Sequence, residues 1–302
     1  MQSGQIRSVS AMSWSKLSRS AQFRFRQAVS KVPYLPVPIR LAVSEQIALT
    51  FWWSQLVPYH DPDRRFLDYW GHDAGDLRFL WRALEPKMTF LDIGANLGVY
   101  TLVAAHKLAN SGRVIAFEPG PRESARLRLH LNWNNFCSSD VRIERLAISD
   151  HCGRQVFFEV LDGGDTSRNG LRAPERGGDV REINSSVITL DHYFKRRKIE
   201  NIDVIKLDVE GGELDVLRGA RLTLLQHRPI IICEVLDLAT CPWGYAACEI
   251  VRALAEFGYS WFDVNAGGFL SAHVPQRHYP AIRNYVAVPR EKCTNFLRVH
   301  AA

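Results

Sequence analysis

Three short stretches concentrate side chains able to do chemistry. The first, Leu91-Asp-Ile-Gly-Ala-Asn-Leu-Gly-Val-Tyr100, carries Asp92, Gly94, Asn96 and Gly98. Glycines at this spacing let backbone pass close to a ligand without a Cβ in the way. Asp92 can reach a cationic amine, and Asn96 can both donate and accept. The second stretch, Val114-Ile-Ala-Phe-Glu-Pro119, ends on Glu118. An acid at the end of a second strand can accept from both hydroxyls of an adenosine ribose; a solvated strand-end carboxylate is the plainer alternative. The third, Val204-Ile-Lys-Leu-Asp-Val-Glu-Gly-Gly-Glu213, sets Asp208 and Glu210 at the end of a central strand, with Glu213 opening the next helix. Clustered carboxylates suit proton transfer or metal binding. Glu213 has a competing job, because an acid in a first helical turn complements the helix dipole. His72, His192 and His273 are bases by residue type only.

These groups need a scaffold that brings strand ends together. The segments Thr89–Ile93, Arg113–Phe117, Val141–Ile148, Asp203–Leu207, Ile230–Val235, Ser260–Val264 and Asn284–Val288 read as strands, those at 89–93, 203–207 and 230–235 as buried ones. Segments with helical spacing fall between them, at Val99–Leu108, Glu123–Asn132, Glu213–Leu217 and Ala246–Phe257. Such alternation predicts an α/β fold with a mostly parallel sheet covered by helices on both faces. The first motif then falls at the carboxyl end of the first strand, where open α/β sheets bind ligands. Ala74–Glu85 has Leu77, Leu80, Trp81 and Leu84 on one helical face, and Pro86 stops it. One stretch interrupts the rhythm: Gln155–Val160 and Ser186–Leu190 read as strands flanking a Gly- and Arg-rich loop from Asp162 to Asp179. A loop of that length is functional or disordered.

The bulk properties narrow the function classes. The chain has 302 residues, 46% hydrophobic, with a formal net charge of +6. Residues 1–50 hold seven Lys and Arg residues against Glu45 alone, which accounts for the whole excess. Balanced charge over the rest argues against a nucleic-acid binder. A basic arm either contacts an anionic membrane peripherally or is a solvated leader. Prolines at 33, 36 and 38 suggest a linker, and 41–57 reads as a helix carrying Trp52 and Trp53. The expected organisation is a basic arm over 1–38, a helical extension over 39–74 and a catalytic domain over 75–302. Six cysteines without a C-x-x-C pair, and no continuous apolar leader, predict a reduced, cytoplasmic chain.

The combination of motifs resembles the FkbM family of methyltransferases. The likeness runs over roughly residues 75–290: the Asp-Ile-Gly-Ala-Asn-Leu-Gly-Val-Tyr loop, Phe-Glu-Pro, Val-Ile-Thr-Leu-Asp at 187–191, Ile-Lys-Leu-Asp-Val-Glu-Gly-Gly-Glu, Cys-Glu-Val at 233–235, and Asn284-Tyr-Val-Ala-Val. It implies a class I methyltransferase fold of Rossmann-like type, with a mostly parallel seven-stranded sheet and an inserted hairpin and loop. The implied methyl donor is S-adenosylmethionine, and the implied acceptor a hydroxyl on a sugar, glycan or secondary metabolite. By position, Asp92, Gly94, Asn96 and Gly98 would surround the methionine part and Glu118 the ribose. Ala147 and Asp150 would lie near the adenine. Glu234 would end the strand beside Asp208, so the pair would either bind Mg²⁺ or deprotonate the acceptor, with Glu210 as a third catalytic acid or a turn residue. A nicotinamide oxidoreductase is the alternative enzyme, but Asn96 replaces the second glycine of a dinucleotide loop. A partner-binding protein on a degenerate fold is the non-enzymatic alternative.

Overall fold

A computed structural model describes residues 38–42, 48–52, 74–109, 111–136, 140–161, 168–174 and 179–301. In chain order, β1 (Pro38–Ala42) and β2 (Ala48–Trp52) precede α1 (Ala74–Ala83). Strands and helices then alternate as β3 (Thr89–Ile93), α2 (Val99–Leu108), β4 (Arg113–Phe117), α3 (Pro121–Trp133) and β5 (Val141–Glu144). Next come β6 (Ala147–Ile148), β7 (Gly153–Val160), β8 (Val180–Ile188) and α4 (Leu190–Arg197). The rest comprises β9 (Val204–Leu207), α5 (Glu213–Arg218), α6 (Arg221–His227), β10 (Ile230–Glu234), α7 (Asp237–Thr240), a 3₁₀ turn at Cys241–Trp243 and α8 (Cys248–Glu256). It closes with β11 (Tyr259–Val264), β12 (Leu270–Ala272), β13 (Asn284–Pro289) and α9 (Arg290–His300).

The main sheet has the order β12-β11-β13-β10-β9-β3-β4-β5. From β10 to β5 all neighbours are parallel, and β13, β11 and β12 are antiparallel. Seven of these strands are the expected Rossmann-like set, and β12 is an added short edge. The central parallel strands read as mostly apolar because both faces are covered, with Asp92 and Lys206 as buried exceptions. Phe90, Leu102, Val114 and Leu127 pack on one face. Leu91, Ile115, Leu190 and Leu217 pack on the other. The chain runs from β3 outward through β4 to β5 and then returns to β9 on the other side of β3, so the carboxyl ends of the paired strands β3 and β9 mark a topological switch point, where open α/β sheets bind ligands.

The structure departs from the sequence expectation in three places. The helix expected over 41–57 is instead the antiparallel hairpin β1–β2, with Arg40 opposite Thr50. The β-branched and aromatic residues Ile39, Thr50, Phe51 and Trp52 favour extended backbone there, overriding a helical period. Trp53 and the basic arm over 1–37 lie outside the described residues. The strand expected over 141–148 breaks after Glu144. Its second part, β6, leaves the main sheet and pairs with β8 in a three-stranded sheet. The expected inserted hairpin is present as β7 and β8, in register from Gly153–Val187 to Val160–Val180. Its second strand begins earlier than expected, and it stops before Leu190 because the Thr189 hydroxyl accepts from the His192 N–H and caps α4. Among the described residues no helix is long and apolar enough to cross a membrane.

Candidate active site

Strand ends converge along one edge. The loop after β3 is held by two parallel bonds, Gly94 and Ala95 N–H each 3.0 Å from the Phe117 carbonyl at the end of β4. Asn96 adopts a left-handed conformation at φ 47°, which asparagine tolerates better than most residues. Its N–H donates to Glu118 Oε2 at 2.8 Å, and the Gly120 N–H donates to Oε1 at 2.7 Å. Glu118 is only 4% exposed. Burial pushes its carboxyl up to about 8, with nearby Glu123 adding to the rise. The sequence suggested a strand-end acid facing ligand or solvent. The structure instead folds it inward, with Gly120 and the Phe157 ring of the inserted hairpin close by.

Asp92 is buried on β3 and accepts from the Thr101 hydroxyl of α2 at 2.5 Å. Burial raises its carboxyl to about 6, against the opposing pull of that hydroxyl and of Lys206. Beneath the loop, His130 on α3 lies 2.8 Å through Nδ1 from the Leu97 carbonyl. Burial lowers its imidazole to about 4, so it is neutral at pH 7 and carries the proton that this bond needs. Ala147 is buried in β6. Asp150 is partly exposed and lies 2.8 Å from the His151 ring, with Gly219 packed against its backbone.

The carboxylate group differs in membership from the expected one. Asp208, Glu213 and Glu234 bring one oxygen each to within 4.8 Å of one another. Glu210 does not belong to this set. It takes a left-handed turn conformation at φ 56°, and its carbonyl accepts from Trp243 Nε1 at 3.0 Å. Glu213 is buried and bonds the backbone of the same turn, accepting from Val209 and Gly211 N–H. Burial raises it to about 7. Spacing alone suits a divalent cation, but a fixed ammonium already lies here. Lys206, 1% exposed, donates from Nζ to Asp208 Oδ2 at 2.8 Å and to Asn284 Oδ1 at 2.9 Å. Asn284 in turn donates to Asp76 on α1. The register explains the meeting: Lys206 pairs with Asp92 across β3–β9, and Asn284 with Glu234 across β10–β13.

The far wall of this edge is aromatic and was not picked out from sequence. Tyr245 Oη donates to the Gly211 carbonyl at 2.5 Å, and the Trp243 ring lies against Gly211 and Gly212. The signal was present in Cys-Pro-Trp-Gly-Tyr, the aromatic run following the β10 acid. His273 is engaged by Asp263 and Tyr279, and exposed His192 lies on α4. His72 lies outside the described residues.

Residues 92–260 match the family described as Methyltransferase FkbM domain. The chain is 28% identical over 229 residues to the 31-O-demethyl-FK506 methyltransferase FkbM of Streptomyces tacrolimicus, covering 62% of this chain and 84% of that protein. It is 30% identical over 156 residues to the 2-O-methyltransferase NoeI of Sinorhizobium fredii, covering 48% of this chain and 62% of that protein. A solved structure of a methyltransferase FkbM from Methylobacillus flagellatus shares 15% identity at a TM-score of 0.44, covering 67% of this chain and 43% of that one.

Proposed function

The chain belongs to the FkbM family of methyltransferases, and from that membership we propose that it moves a methyl group from S-adenosylmethionine to a hydroxyl oxygen of a sugar, glycan or secondary metabolite. The observation that carries this reading is the shared edge. The Gly94–Gly98 loop and Glu118 lie at the ends of β3 and β4, and Asp208 and Glu234 end the neighbouring β9 and β10. Glu118 is placed to take the ribose. Both its oxygens are oriented by backbone N–H groups, and each keeps a lone pair for a ribose hydroxyl. Because it is buried, the ribose must gain access by a local shift of the loop that carries Asn96 or of the Gly120 turn. Asp92 and the loop backbone fit the methionine part, with Ala147 on the adenine side. Asp150 is a weaker adenine contact, being partly exposed and turned toward His151.

The donor supplies a sulfonium carbon open to in-line displacement by an acceptor oxygen. The protein's task is alignment and removal of the acceptor proton. Asp208 is the proposed proton acceptor, with its carboxylate oriented by Lys206, and Glu234 is the second candidate. The Asp208, Glu213 and Glu234 spacing also supports Mg²⁺ in the same place, competing there with the Lys206 ammonium. Glu213 and Glu210 are proposed to hold the turn rather than the substrate. Calorimetric titration with S-adenosylmethionine and with NAD tests the reading. Micromolar binding of the first and none of the second is expected. NAD binding without S-adenosylmethionine binding would sink it.

A further inference from the structure

The inserted segment reaches the Glu210 turn and carries there a cation, Arg172, that has no carboxylate partner among the described residues. Residues 168–174 are fixed to β7 as a partial extra strand. Phe158 and Gly170 exchange both backbone bonds, at 2.8 and 3.1 Å, and the Asn169 side chain accepts from the Val160 N–H at 2.8 Å. Gln155 Nε2 donates to the Leu171 carbonyl at 3.2 Å. This pinning brings Gly170 over the Glu210 turn, so that a Cβ on it would meet the Glu210 Cβ at 3.7 Å. Two residues on, the exposed Arg172 guanidinium lies 5.2 Å from the centroid of the Trp243 ring. Trp243 is itself immobilised by the Glu210 carbonyl and the backbone of Gly211 and Gly212.

We propose that Arg172, posted on Trp243, recognises an anionic group on the acceptor, a carboxylate or phosphate carried near the hydroxyl that is methylated. The proposal deepens the methyl-transfer reading and rests on it. Among the described residues Arg172 has no carboxylate partner, although Asp208, Glu210, Glu213 and Glu234 occupy the same edge. If its task were to neutralise that edge, an ion pair with one of them would be the direct solution. The guanidinium stays within cation–π distance of the tryptophan ring, and its N–H groups, without a carboxylate among the described residues, are left for a planar or tetrahedral anion, the geometry guanidinium binds in two-point fashion. An anionic acceptor approaching a floor of carboxylates needs such a cation. The cation also limits which hydroxyl reaches Asp208, because the charge is held at Trp243.

The test uses the full chain saturated with S-adenosylhomocysteine and three probes, glucuronic acid, glucose 6-phosphate and glucose, followed by ligand-observed NMR titration. At least one anionic sugar should bind about tenfold more tightly than glucose, and the stronger of the two identifies carboxylate or phosphate as the source. Arg172→Gln should erase that margin and Arg172→Lys should keep part of it. Neither change should alter S-adenosylhomocysteine affinity. Equal binding of all three sugars, binding of none, or a margin that persists in Arg172→Gln overturns the proposal. Failure of S-adenosylhomocysteine to bind the unaltered chain would instead strike the methyl-transfer reading beneath it.

Discussion

The Cβ that Gly94 lacks would fall 1.7 Å from the carbonyl oxygen of Asp208. The loop after β3 and the carboxyl end of β9 therefore touch backbone to backbone, and the Asp208 N–H returns a 3.0 Å bond to the Ile93 carbonyl. Gly94 also stands at φ +84°, where side chains with a Cβ are strained. This glycine is required by the packing of two strand ends before any ligand is considered.

Gly98 gives the comparison that makes this testable. It has φ +83°, but the nearest atom to its would-be Cβ is the Leu127 Cδ1, at 2.0 Å. A leucine methyl can rotate aside; a carbonyl in a strand end cannot. Gly98→Ala should cost roughly the left-handed penalty of about 1–2 kcal/mol, plus a modest repacking. Gly94→Ala should cost clearly more and should also weaken cofactor binding. Urea unfolding of both variants checks the order, and equal losses would show that the Asp208 contact yields easily.

Buried acids set the pH dependence of the ligand-free protein. Asp92, Glu213 and Glu118 are raised by burial to about 6, 7 and 8. A raised carboxyl favours the folded state fully below its unfolded value, and that contribution is lost as pH rises through the folded value. His130 acts in the opposite sense at lower pH, because its depressed value penalises folding as pH falls from about 6.5 toward 4. The acid effect is therefore cleanest from about pH 6.5 to 8.5, where stability should decline. Each group loses up to about 1.4 kcal/mol per pH unit while only its unfolded form is ionised. Glu118→Gln should flatten the upper part of the slope. Stability that is level or rising over this window in the parent chain would contradict the burial of these acids.

The sheet was legible because strands covered on both faces must be largely apolar: Phe90 and Leu91 point to opposite cores and both are buried. The strand-end acids were legible because each lies where an apolar run gives way to a glycine-bearing turn, Asp92 before Gly94, Glu118 before Gly120 and Asp208 before Gly211. Side-chain direction at the edge was less so. Glu118 turns inward because the Asn96 and Gly120 N–H groups need an acceptor, a demand that appears only when the loop folds over β4. Glu213 displaced Glu210 from the acid cluster because the left-handed turn at Glu210 exposes N–H groups that only the following helix could satisfy. The break after Glu144 was hidden because apolar residues continue on both sides of it, Val141 and Ile143 in β5 and Ala147 and Ile148 in β6, although the two strands serve different sheets. Arg172 and Trp243 lie far apart in sequence, and their contact depends on the Phe158–Gly170 bridge.

Asp208 is the acid on which the proposed mechanism turns. Replacement by Asn keeps the shape, and the amide oxygen can still accept from Lys206, which remains bonded to Asn284. The variant should therefore fold, and because Gly94 meets the Asp208 backbone rather than its side chain, the cofactor loop should stay in place. If the carboxylate removes the acceptor proton, turnover should fall by roughly 10²–10⁴ while cofactor affinity stays near that of the parent, the loss expected for a general base. Chelation separates the two uses of the same acid. If the Lys206 ammonium is the operative cation, activity should survive chelator in the parent chain. If Asp208 and Glu234 hold Mg²⁺, chelator should abolish activity and added Mg²⁺ should restore it. A variant that keeps full activity, in a parent chain indifferent to chelator, would remove Asp208 from proton transfer and metal binding alike. Methyl transfer would then rest on alignment alone, with Glu234 as the next acid to replace.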